Sequence, residues 1–273
     1  MTSPADVWST RYKQLVDRNI GLLTEAEQDR LRTAKACVFG MGGLGGVALE
    51  VLVRAGVGRF AIVDKDAFEA TNLNRQVFAL DRTLGRMKID VAEEWARAIN
   101  PDVVIEKAPR VGEDNVAGLL QDSGVAVLAI DQLEACLVIS REARRMGVPL
   151  VEGWALPYGN VRVITADTPS LEECYGLQTR GTPLAGISKE ELKEAQMRLL
   201  LRLRAIEGLP DYYGDLALDR LSRGEITSFA PIVWLTAVLM ALEASKVLLG
   251  RGELALAPDF AFYDPFRHRI PQV

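Results

Sequence analysis

Three glycines and one aspartate have the types and spacing needed to hold a nucleotide. Residues 40–45 read GMGGLG, so Gly40, Gly42 and Gly45 form a G-x-G-x-x-G pattern. This pattern follows an apolar run and opens a helix-like stretch, where glycines let backbone N–H groups approach phosphate at a helix N-terminus. Asp64 ends the next apolar run, where a carboxylate can accept hydrogen bonds from a ribose hydroxyl. These residues predict a nucleotide site without distinguishing NAD from ATP.

A second group of residues favours a triphosphate. Residues 72–76 read NLNRQ and include Arg75, Lys88 starts the following helix-like region, and Asp131 follows the fourth apolar strand pattern. Cleavage of a triphosphate requires neutralisation of charge on the leaving pyrophosphate, whereas hydride transfer does not. Arg75 and Lys88 could supply that charge, and Asp131 could hold Mg²⁺. The alternatives are solvated surface charges for the two cations and a helix N-cap for Asp131.

The elements that must position these residues alternate between strand and helix. The patterns predict a β-α-β unit over residues 34–64, strands over 103–108, 125–130 and 149–152, and helices over 83–99 and 134–146. Such alternation is typical of a parallel sheet with helices on both faces. Gly159-Asn160 lies between two strand-like runs and predicts the turn of an antiparallel hairpin. The expected fold is therefore α/β, Rossmann-like and doubly wound, with a mixed, mostly parallel sheet.

The remaining segments complete one predicted domain over residues 1–273. Thr24 and Glu27 have capping-box spacing before a helix at residues 25–32, and Ser188 and Glu191 repeat that spacing in the second half. Residues 171–227 lose strand character and are predicted to form a helical insertion or lid. An apolar helix from about Pro231 to Gly250 and a strand within residues 259–264 should follow.

Composition excludes several classes of function. The chain has 273 residues, 49% of them hydrophobic and 25% charged, with a net charge of −5. It is therefore expected to be a soluble globular protein without general attraction to nucleic acid or to an anionic membrane. The N-terminal stretch is polar and shows no signal peptide, so a cytoplasmic location is expected. Glu243 and Lys246 interrupt the most apolar segment, residues 229–250, which favours a buried core or interface helix over a membrane span.

Cysteine and histidine usage excludes further chemistry. Cys37, Cys136 and Cys174 form no C-x-x-C pair, which argues against a disulfide framework and a four-thiolate zinc site. His268 is the single histidine, so a Ser-His-Asp triad would need the tail to fold back, and the simpler reading is a solvated tail residue. Catalysis by Cys174 or Cys136 is the minor alternative to plain buried thiols. Trp154 and Tyr158 could line an acceptor pocket, although core packing is favoured.

Six short motifs in a fixed order resemble a known family. GMGGLG, GVGRFAIVDKD, NLNRQ, GRMKID, INPDVVIE and AIDQLEA are together similar to the ThiF/MoeB/HesA family, bacterial relatives of ubiquitin-activating enzymes. The resemblance is strong over residues 18–131 and weak over 170–227. It implies a homodimer that uses ATP to adenylate a carboxylate and releases pyrophosphate. The carboxylate would be the C-terminus of a ubiquitin-like protein or peptide, or a small molecule.

The resemblance also implies roles for individual residues. The ATP-binding positions of the family fall on Gly40, Gly42, Gly43, Asp64, Asn72 and Gln76. Its catalytic positions fall on Arg75, Lys88 and Asp131. Of these, Asp131 is the aspartate that the resemblance places at the magnesium ion. An N-terminal arginine that reaches the triphosphate of the neighbouring subunit falls on Arg18, with Arg11 as the alternative. Two departures matter: EECYGLQ stands where relatives often carry zinc-binding C-x-x-C pairs, and no cysteine follows Cys174. The adenylation half is thus expected to be intact, and the sulfur-handling half and the zinc to be missing.

Three other functions remain open from the sequence. The resemblance also allows an ATP-driven dehydratase or cyclase, in which an internal amine or hydroxyl attacks the adenylate. A non-catalytic nucleotide-binding scaffold would fit the missing cysteine and zinc pairs. An NAD-dependent oxidoreductase explains the glycines and Asp64 but leaves Arg75, Lys88 and Asp131 without a task.

Overall fold

Seven strands form one sheet in the computed structural model, which describes residues 7–204, 212, 215–222 and 227–267. The strands are β1 (Lys35–Phe39), β2 (Arg59–Val63), β3 (Val104–Ala108), β4 (Ser123–Leu128), β5 (Leu150–Glu152), β6 (Gly159–Ile164) and β7 (Ala261–Tyr263), in the spatial order β3-β2-β1-β4-β5-β6-β7. β1 to β5 are parallel, and β6 and β7 pair antiparallel. The prediction of a mixed, mostly parallel sheet is confirmed. The order reverses between β1 and β4, and in such sheets ligands bind outside the carboxyl ends of the strands at this point.

Helices connect the strands and cover the sheet. They are α1 (Thr10–Val16), α2 (Glu25–Thr33), α3 (Gly43–Arg54), α4 (Lys88–Ile99), α5 (Val116–Leu120), α6 (Leu133–Met146), α7 (Leu171–Tyr175), α8 (Lys189–Arg204), α9 (Asp215–Ser222) and α10 (Ala230–Leu249). β1 alternates its side chains between two apolar layers: Ala36 and Val38 pack in one, and Cys37 and Phe39 in the other. The sheet is therefore buried on both faces, as a doubly wound fold requires.

The helix predicted over residues 83–99 begins five residues later than expected, at Lys88. Asp81–Thr83 form a separate 3₁₀ turn, and Gly85 has φ +79°. Leu84 already leaves the helical conformation, with a ψ of 137°, and the left-handed Gly85 cannot continue an α-helix, so the helix begins anew at Lys88. The predicted strand boundaries differ from the observed ones by one or two residues. This helix start places Lys88 in the first turn of α4.

The hairpin between β5 and β6 exists, but the turn predicted at Gly159-Asn160 is wrong. These two residues begin β6, and the loop occupies residues 153–158. The Asn160 side chain closes that loop: its Oδ1 accepts from the Trp154 N–H at 2.8 Å, and its Nδ2 donates to the carbonyls of Trp154 and Tyr158. Asn160 thus stabilises the turn from within the strand.

The apolar helix α10 begins and ends close to the predicted residues. Pro231 lies in its first turn, and Gly250 ends it in the left-handed conformation, φ +62°. By length and composition α10 could cross a membrane, but half of its apolar window is buried in the fold. It packs against α3 and β6, as the predicted core helix should. Its outer face leaves Trp234, Val238 and Leu242 exposed at four-residue spacing.

The described part of residues 171–227 is helical, with α7, α8 and α9. The Arg141 guanidinium ties this region to α6 through two hydrogen bonds to the Glu172 carboxylate, at 3.0 and 2.7 Å. Ser188 accepts from the Glu191 N–H, so the predicted cap before α8 is present. The cap of Thr24 on α2 is also present. His268 lies outside the described residues.

Candidate functional site

The glycine turn, residues 40–45, connects β1 to α3 and can exist only with glycine at critical positions. Gly40 has φ +93°, and a Cβ there would lie 2.3 Å from the Ala129 carbonyl oxygen. A Cβ on Gly45 would lie 1.7 Å from the Gly40 carbonyl oxygen. The chain therefore folds tightly onto the end of β4 and starts α3 at Gly43, with Gly42 as its N-cap. No side chain caps this helix end, so its N–H groups are available to an anion.

Asp64 follows β2 and binds the glycine turn directly. Its Oδ2 accepts from the Met41 N–H at 2.7 Å, and its Oδ1 accepts from the Asp66 N–H at 2.9 Å. The carboxylate is half-buried and keeps unused acceptor capacity, because each of its oxygens can accept more than one hydrogen bond. Asp64 thus lies beside the turn, where the sequence predicts that it meets a ribose.

The arginine turn, residues 71–76, contacts the same glycines. Arg75 Cγ lies 3.4 Å from the Cβ position of Gly43. Its guanidinium donates from Nη1 to the Thr71 carbonyl at 2.9 Å and to Asn74 Oδ1 at 2.8 Å. Among the described residues no carboxylate pairs with Arg75. Burial lowers the pKa of this guanidinium because desolvation disfavours its charge.

Asn72 and Gln76 differ in what they do within that turn. Asn72 is buried, and its Oδ1 accepts from the Glu69 N–H at 3.1 Å, so it holds the turn together. Gln76 is 7% exposed, and its Nε2 lies 3.7 Å from the Cβ position of Gly42. The buried Oε1 of Gln76 has no hydrogen-bond partner among the described residues. An unpaired buried amide oxygen costs free energy, and its position beside the glycine turn makes Gln76 a candidate ligand-binding residue.

Lys88 is buried and linked to Asp64 through one intermediate residue. Its side chain is 8% exposed, and Nζ lies 3.3 Å from Asp66 Oδ2. The Lys88 N–H also donates to the Asp66 carbonyl at 3.0 Å. The Asp66 N–H in turn donates to Asp64 Oδ1, so Asp66 holds the Lys88 ammonium on the same side of the site as the Asp64 carboxylate. The sequence analysis does not name Asp66, although the VDKD motif carries it two residues after Asp64.

Asp131 follows β4 and lies two residues beyond Ala129, which contacts Gly40. It is exposed and has no hydrogen-bond or ion-pair partner among the residues that the structure describes. The residue that precedes α6 as its N-cap is Gln132, so Asp131 does not cap this helix. Asp131 is therefore a free carboxylate at the switch point of the sheet.

Arg18 stands apart from these residues within one chain. Its side chain is 99% exposed, and its charged neighbour is Asp17 at 3.8 Å. A fully exposed arginine with an exposed ion-pair partner adds little to the stability of its own chain. Arg11, the alternative, is also exposed.

The cysteines are free, as predicted, and none is activated. Cys37 and Cys136 are buried, and desolvation raises the pKa of both thiols far above the ordinary value. Cys174 is half-buried, and burial raises its pKa despite the nearby Arg162 guanidinium. Because the thiolate is the nucleophile, these surroundings favour structural thiols.

The two aromatic residues of the β5–β6 loop also pack in the fold. Tyr158 is 1% exposed and packs edge-on against Phe262. The Trp154 indole donates to Glu152 Oε1 at 2.9 Å. These contacts agree with the core packing that the sequence favours.

The structure thus brings together the predicted residues that follow β1, β2 and β4. The glycine turn contacts Asp64 through Met41, Arg75 through Gly43 and Gln76 through Gly42. Asp66 links Lys88 to Asp64, and Asp131 lies two residues beyond Ala129, which contacts Gly40. Arg18 does not join them within the chain. Trp234 also contacts this site without having been predicted from the sequence: its indole donates to the Arg75 carbonyl at 2.8 Å. No sequence signal marks it, because it lies inside an apolar helix.

A doubly wound sheet with a glycine turn after β1, an acid after β2 and an arginine on the following loop is the arrangement typical of nucleotide-binding α/β proteins. The model of the ThiF family matches residues 16–273, so the chain belongs to the ThiF family. It is 38% identical over 241 residues to the sulfur carrier protein adenylyltransferase of Thermus thermophilus, covering 87% of this chain and 77% of that protein. The predicted family is therefore confirmed.

Solved structures share the fold at low sequence identity. MccB of E. coli with ATP superposes with a TM-score of 0.67 at 18% identity, over 96% of this chain and 70% of that one. The E. coli tRNA N6-threonylcarbamoyladenosine dehydratase TcdA gives a TM-score of 0.62 at 22% identity, over 89% of this chain and 98% of that one. With several other curated relatives, the matched region spans only about half of the relative's own length.

Proposed function

We propose that the chain adenylates a carboxylate with ATP and releases pyrophosphate. The observation that carries this proposal is a pair of groups at the glycine turn, a cation without a carboxylate partner and an amide oxygen without a donor. The partly desolvated Arg75 has no carboxylate partner in the described residues, and the buried Gln76 Oε1 has no donor. A triphosphate supplies negative charge for the first, and a nucleotide supplies donors for the second. The adenylyltransferase relative supports the same reaction.

The reaction requires only positioning and charge. A carboxylate oxygen of the substrate attacks the α-phosphorus of ATP, the bond between the α-phosphorus and the bridging oxygen breaks, and pyrophosphate leaves with the bonding electrons. Charge therefore moves onto the pyrophosphate, where Arg75 and Lys88 stabilise it. The N–H groups at the start of α3 hold phosphate, and Asp64 binds the ribose. No proton transfer to a histidine is needed.

Asp131 is the residue that would hold Mg²⁺. Its carboxylate is exposed and unpartnered among the described residues, at the carboxyl end of β4. Mg²⁺ is commonly bound by one or two carboxylates together with substrate phosphates and waters, so a single aspartate fits. When bound, the ion would neutralise phosphate charge.

We further propose that the active form is a homodimer that acts in the cytoplasm, where ATP is available. Arg18 projects fully into solvent, as a residue that completes the neighbouring site would. The exposed apolar side chains Val238 and Leu242 of α10 support association with a second copy. The substrate would be a small protein or peptide with a free C-terminus, or a small carboxylic acid. No role for nucleic acid or membrane is proposed.

The thiols favour a variant of this function that needs no cysteine relay. Cys37, Cys136 and Cys174 are the only cysteines of the chain, and burial raises the pKa of each. An adenylate attacked by an amine or hydroxyl, as in a dehydratase or cyclase, would suit such a chain. Transfer to a separate acceptor is the other outcome. Analysis of the products by mass spectrometry separates the two.

Pyrophosphate exchange into ATP with candidate carboxylates tests the proposal. Arg75→Ala should slow exchange by roughly 100-fold, because one well-placed cation stabilises the transition-state charge. Arg82→Ala is the matched control: this exposed arginine lies over the Trp95 ring, and its loss should leave exchange unchanged. A melting temperature raised by NAD and not by Mg-ATP would instead support an oxidoreductase. Mg-ATP binding without exchange for any carboxylate would support a nucleotide-binding scaffold.

A further inference from the structure

The first turns of α10 hold the arginine turn at two points. The Trp234 indole Nε1 donates to the Arg75 carbonyl at 2.8 Å. One residue before α10's N-cap, the Ser228 carbonyl accepts from Asn74 Nδ2 at 3.1 Å. Val233 belongs to the same end of the helix, and its Cγ1 lies 2.9 Å from the Cβ position of Gly43. One end of one helix therefore contacts both the arginine turn and the glycine turn.

Within the described part of the chain, the partners of the Arg75 side chain all belong to its own turn. Among the described residues, its guanidinium donates to the Thr71 carbonyl and to Asn74 Oδ1. The direction of the guanidinium consequently depends on how the backbone of residues 71–76 is held. The Trp234 N–H is the donor that the described structure gives to the Arg75 carbonyl. Removing this N–H would loosen the peptide group that carries the guanidinium.

Trp234 is also placed unusually for a core aromatic residue. It is 42% exposed, so its value to the hydrophobic core is limited, while its polar N–H is committed to a backbone carbonyl. We propose that Trp234 is a positioning residue that fixes Arg75 toward the outer phosphates of ATP. This inference rests on the proposed function. It makes a specific statement: Trp234 acts on nucleotide affinity only through Arg75, and only for nucleotides that carry β- and γ-phosphates.

Isothermal titration of Mg-ATP and of AMP tests this proposal without a known carboxylate. Trp234→Phe keeps the ring and removes the N–H, and it should weaken Mg-ATP binding about fivefold, the usual effect of one lost hydrogen bond. AMP binding should not change. In an Arg75→Ala background, Trp234→Phe should cause no further loss, because the group through which it acts is gone.

Two control variants separate positioning from structural roles. Trp95→Phe alters an indole on α4 that packs against Phe78 and lies outside the arginine turn. Val104→Ala trims an exposed apolar side chain at the start of β3, the end of the strand opposite the glycine turn. Both should bind Mg-ATP as the wild type does.

Three results would overturn the proposal: equal losses for ATP and AMP, a further loss in the Arg75→Ala background, or unchanged ATP binding by Trp234→Phe. If Arg75→Ala weakens ATP binding and Trp234→Phe does not, only the role of Trp234 is wrong. If the wild-type protein and Arg75→Ala bind ATP equally, the proposed function of the arginine is wrong as well.

Discussion

Two alanine substitutions in the glycine turn test different requirements. At Gly45 the fold leaves no room for a side chain, whereas at Gly42 a side chain fits the fold and would obstruct only a bound nucleotide. A Cβ on Gly42 would have the Gln76 amide as its nearest neighbour, with Nε2 at 3.7 Å and Cδ at 4.0 Å. These are ordinary van der Waals contacts, and Gly42 has a φ of −83°. Gly42→Ala should therefore cost at most about 1 kcal/mol, or roughly 2–4 °C in melting temperature for a chain of this size.

Gly45→Ala should behave in the opposite way. Its Cβ would lie 1.7 Å from the Gly40 carbonyl oxygen and 2.9 Å from the Gly40 carbonyl carbon. Both are backbone atoms that cannot rotate away, so the turn or α3 must move at a cost of about 3 kcal/mol or more. Gly118→Ala on α5 is the control, because nothing lies within 4 Å of its Cβ position.

The nucleotide assay makes the comparison decisive. In Gly42→Ala the new methyl stands at the N-cap of α3, beside the unpaired Gln76 amide, where phosphate is proposed to bind. Mg-ATP affinity measured by titration calorimetry should fall at least about tenfold, although the protein remains folded. Gly118→Ala should bind as the wild type does. Wild-type ATP affinity in a folded Gly42→Ala protein would refute the placement of the nucleotide over this turn.

The remaining predictions concern the dimer, the thiol and acid stability. Arg18→Ala and Lys88→Ala proteins should each be nearly inactive in pyrophosphate exchange. Subunit exchange between them should restore up to about a quarter of wild-type activity, because about half of the dimers are then mixed and each mixed dimer has one intact site. An exchanged mixture as inactive as its parents would contradict a cross-subunit Arg18. Cys174→Ser should retain exchange, and a large loss would identify a covalent role for this thiol. Burial opposes ionisation of Glu172, but hydrogen bonds and charge from Arg141 outweigh it and lower its pKa below the ordinary 4.5. The ionised Glu172 thus stabilises the folded protein above that value, and this contribution is lost as the pH falls through the lowered pKa. The melting temperature of Glu172→Gln should therefore depend less on pH below about 4.5 than that of the wild type. The same pH profile in both proteins would contradict this.

The order of elements was predictable because its signals are local. Apolar runs, the glycine turn and capping residues such as Thr24 each depend on a few neighbouring residues, and they predicted the β-α-β unit and the mixed sheet. The wrong turn at Gly159-Asn160 shows the limit of this reasoning. Local propensity favours a turn there, but the Asn160 side chain reaches back to Trp154, a contact that only the folded loop reveals.

The candidate site was predictable in its motifs and not in its contacts. The sequence places Asp64, Arg75 and Lys88 near the carboxyl ends of strands, but Asp66 and Trp234 are noticed only when distant segments meet. Trp234 comes from a helix 159 residues beyond Arg75 in the chain. Its spacing in α10 matches an apolar face, so the sequence gives no reason to separate it from core residues.

The measurement that tests the central claim most directly is calorimetric titration of the wild-type protein and Lys88→Ala with Mg-ATP and with NAD. The proposed adenylation site predicts one Mg-ATP per chain, an affinity at least about tenfold weaker in Lys88→Ala, and no NAD binding. The reason is that the buried Lys88 ammonium, which Asp66 links to Asp64, is proposed to serve the triphosphate. Binding of NAD without Mg-ATP, or Mg-ATP binding that is insensitive to Lys88, would contradict the account.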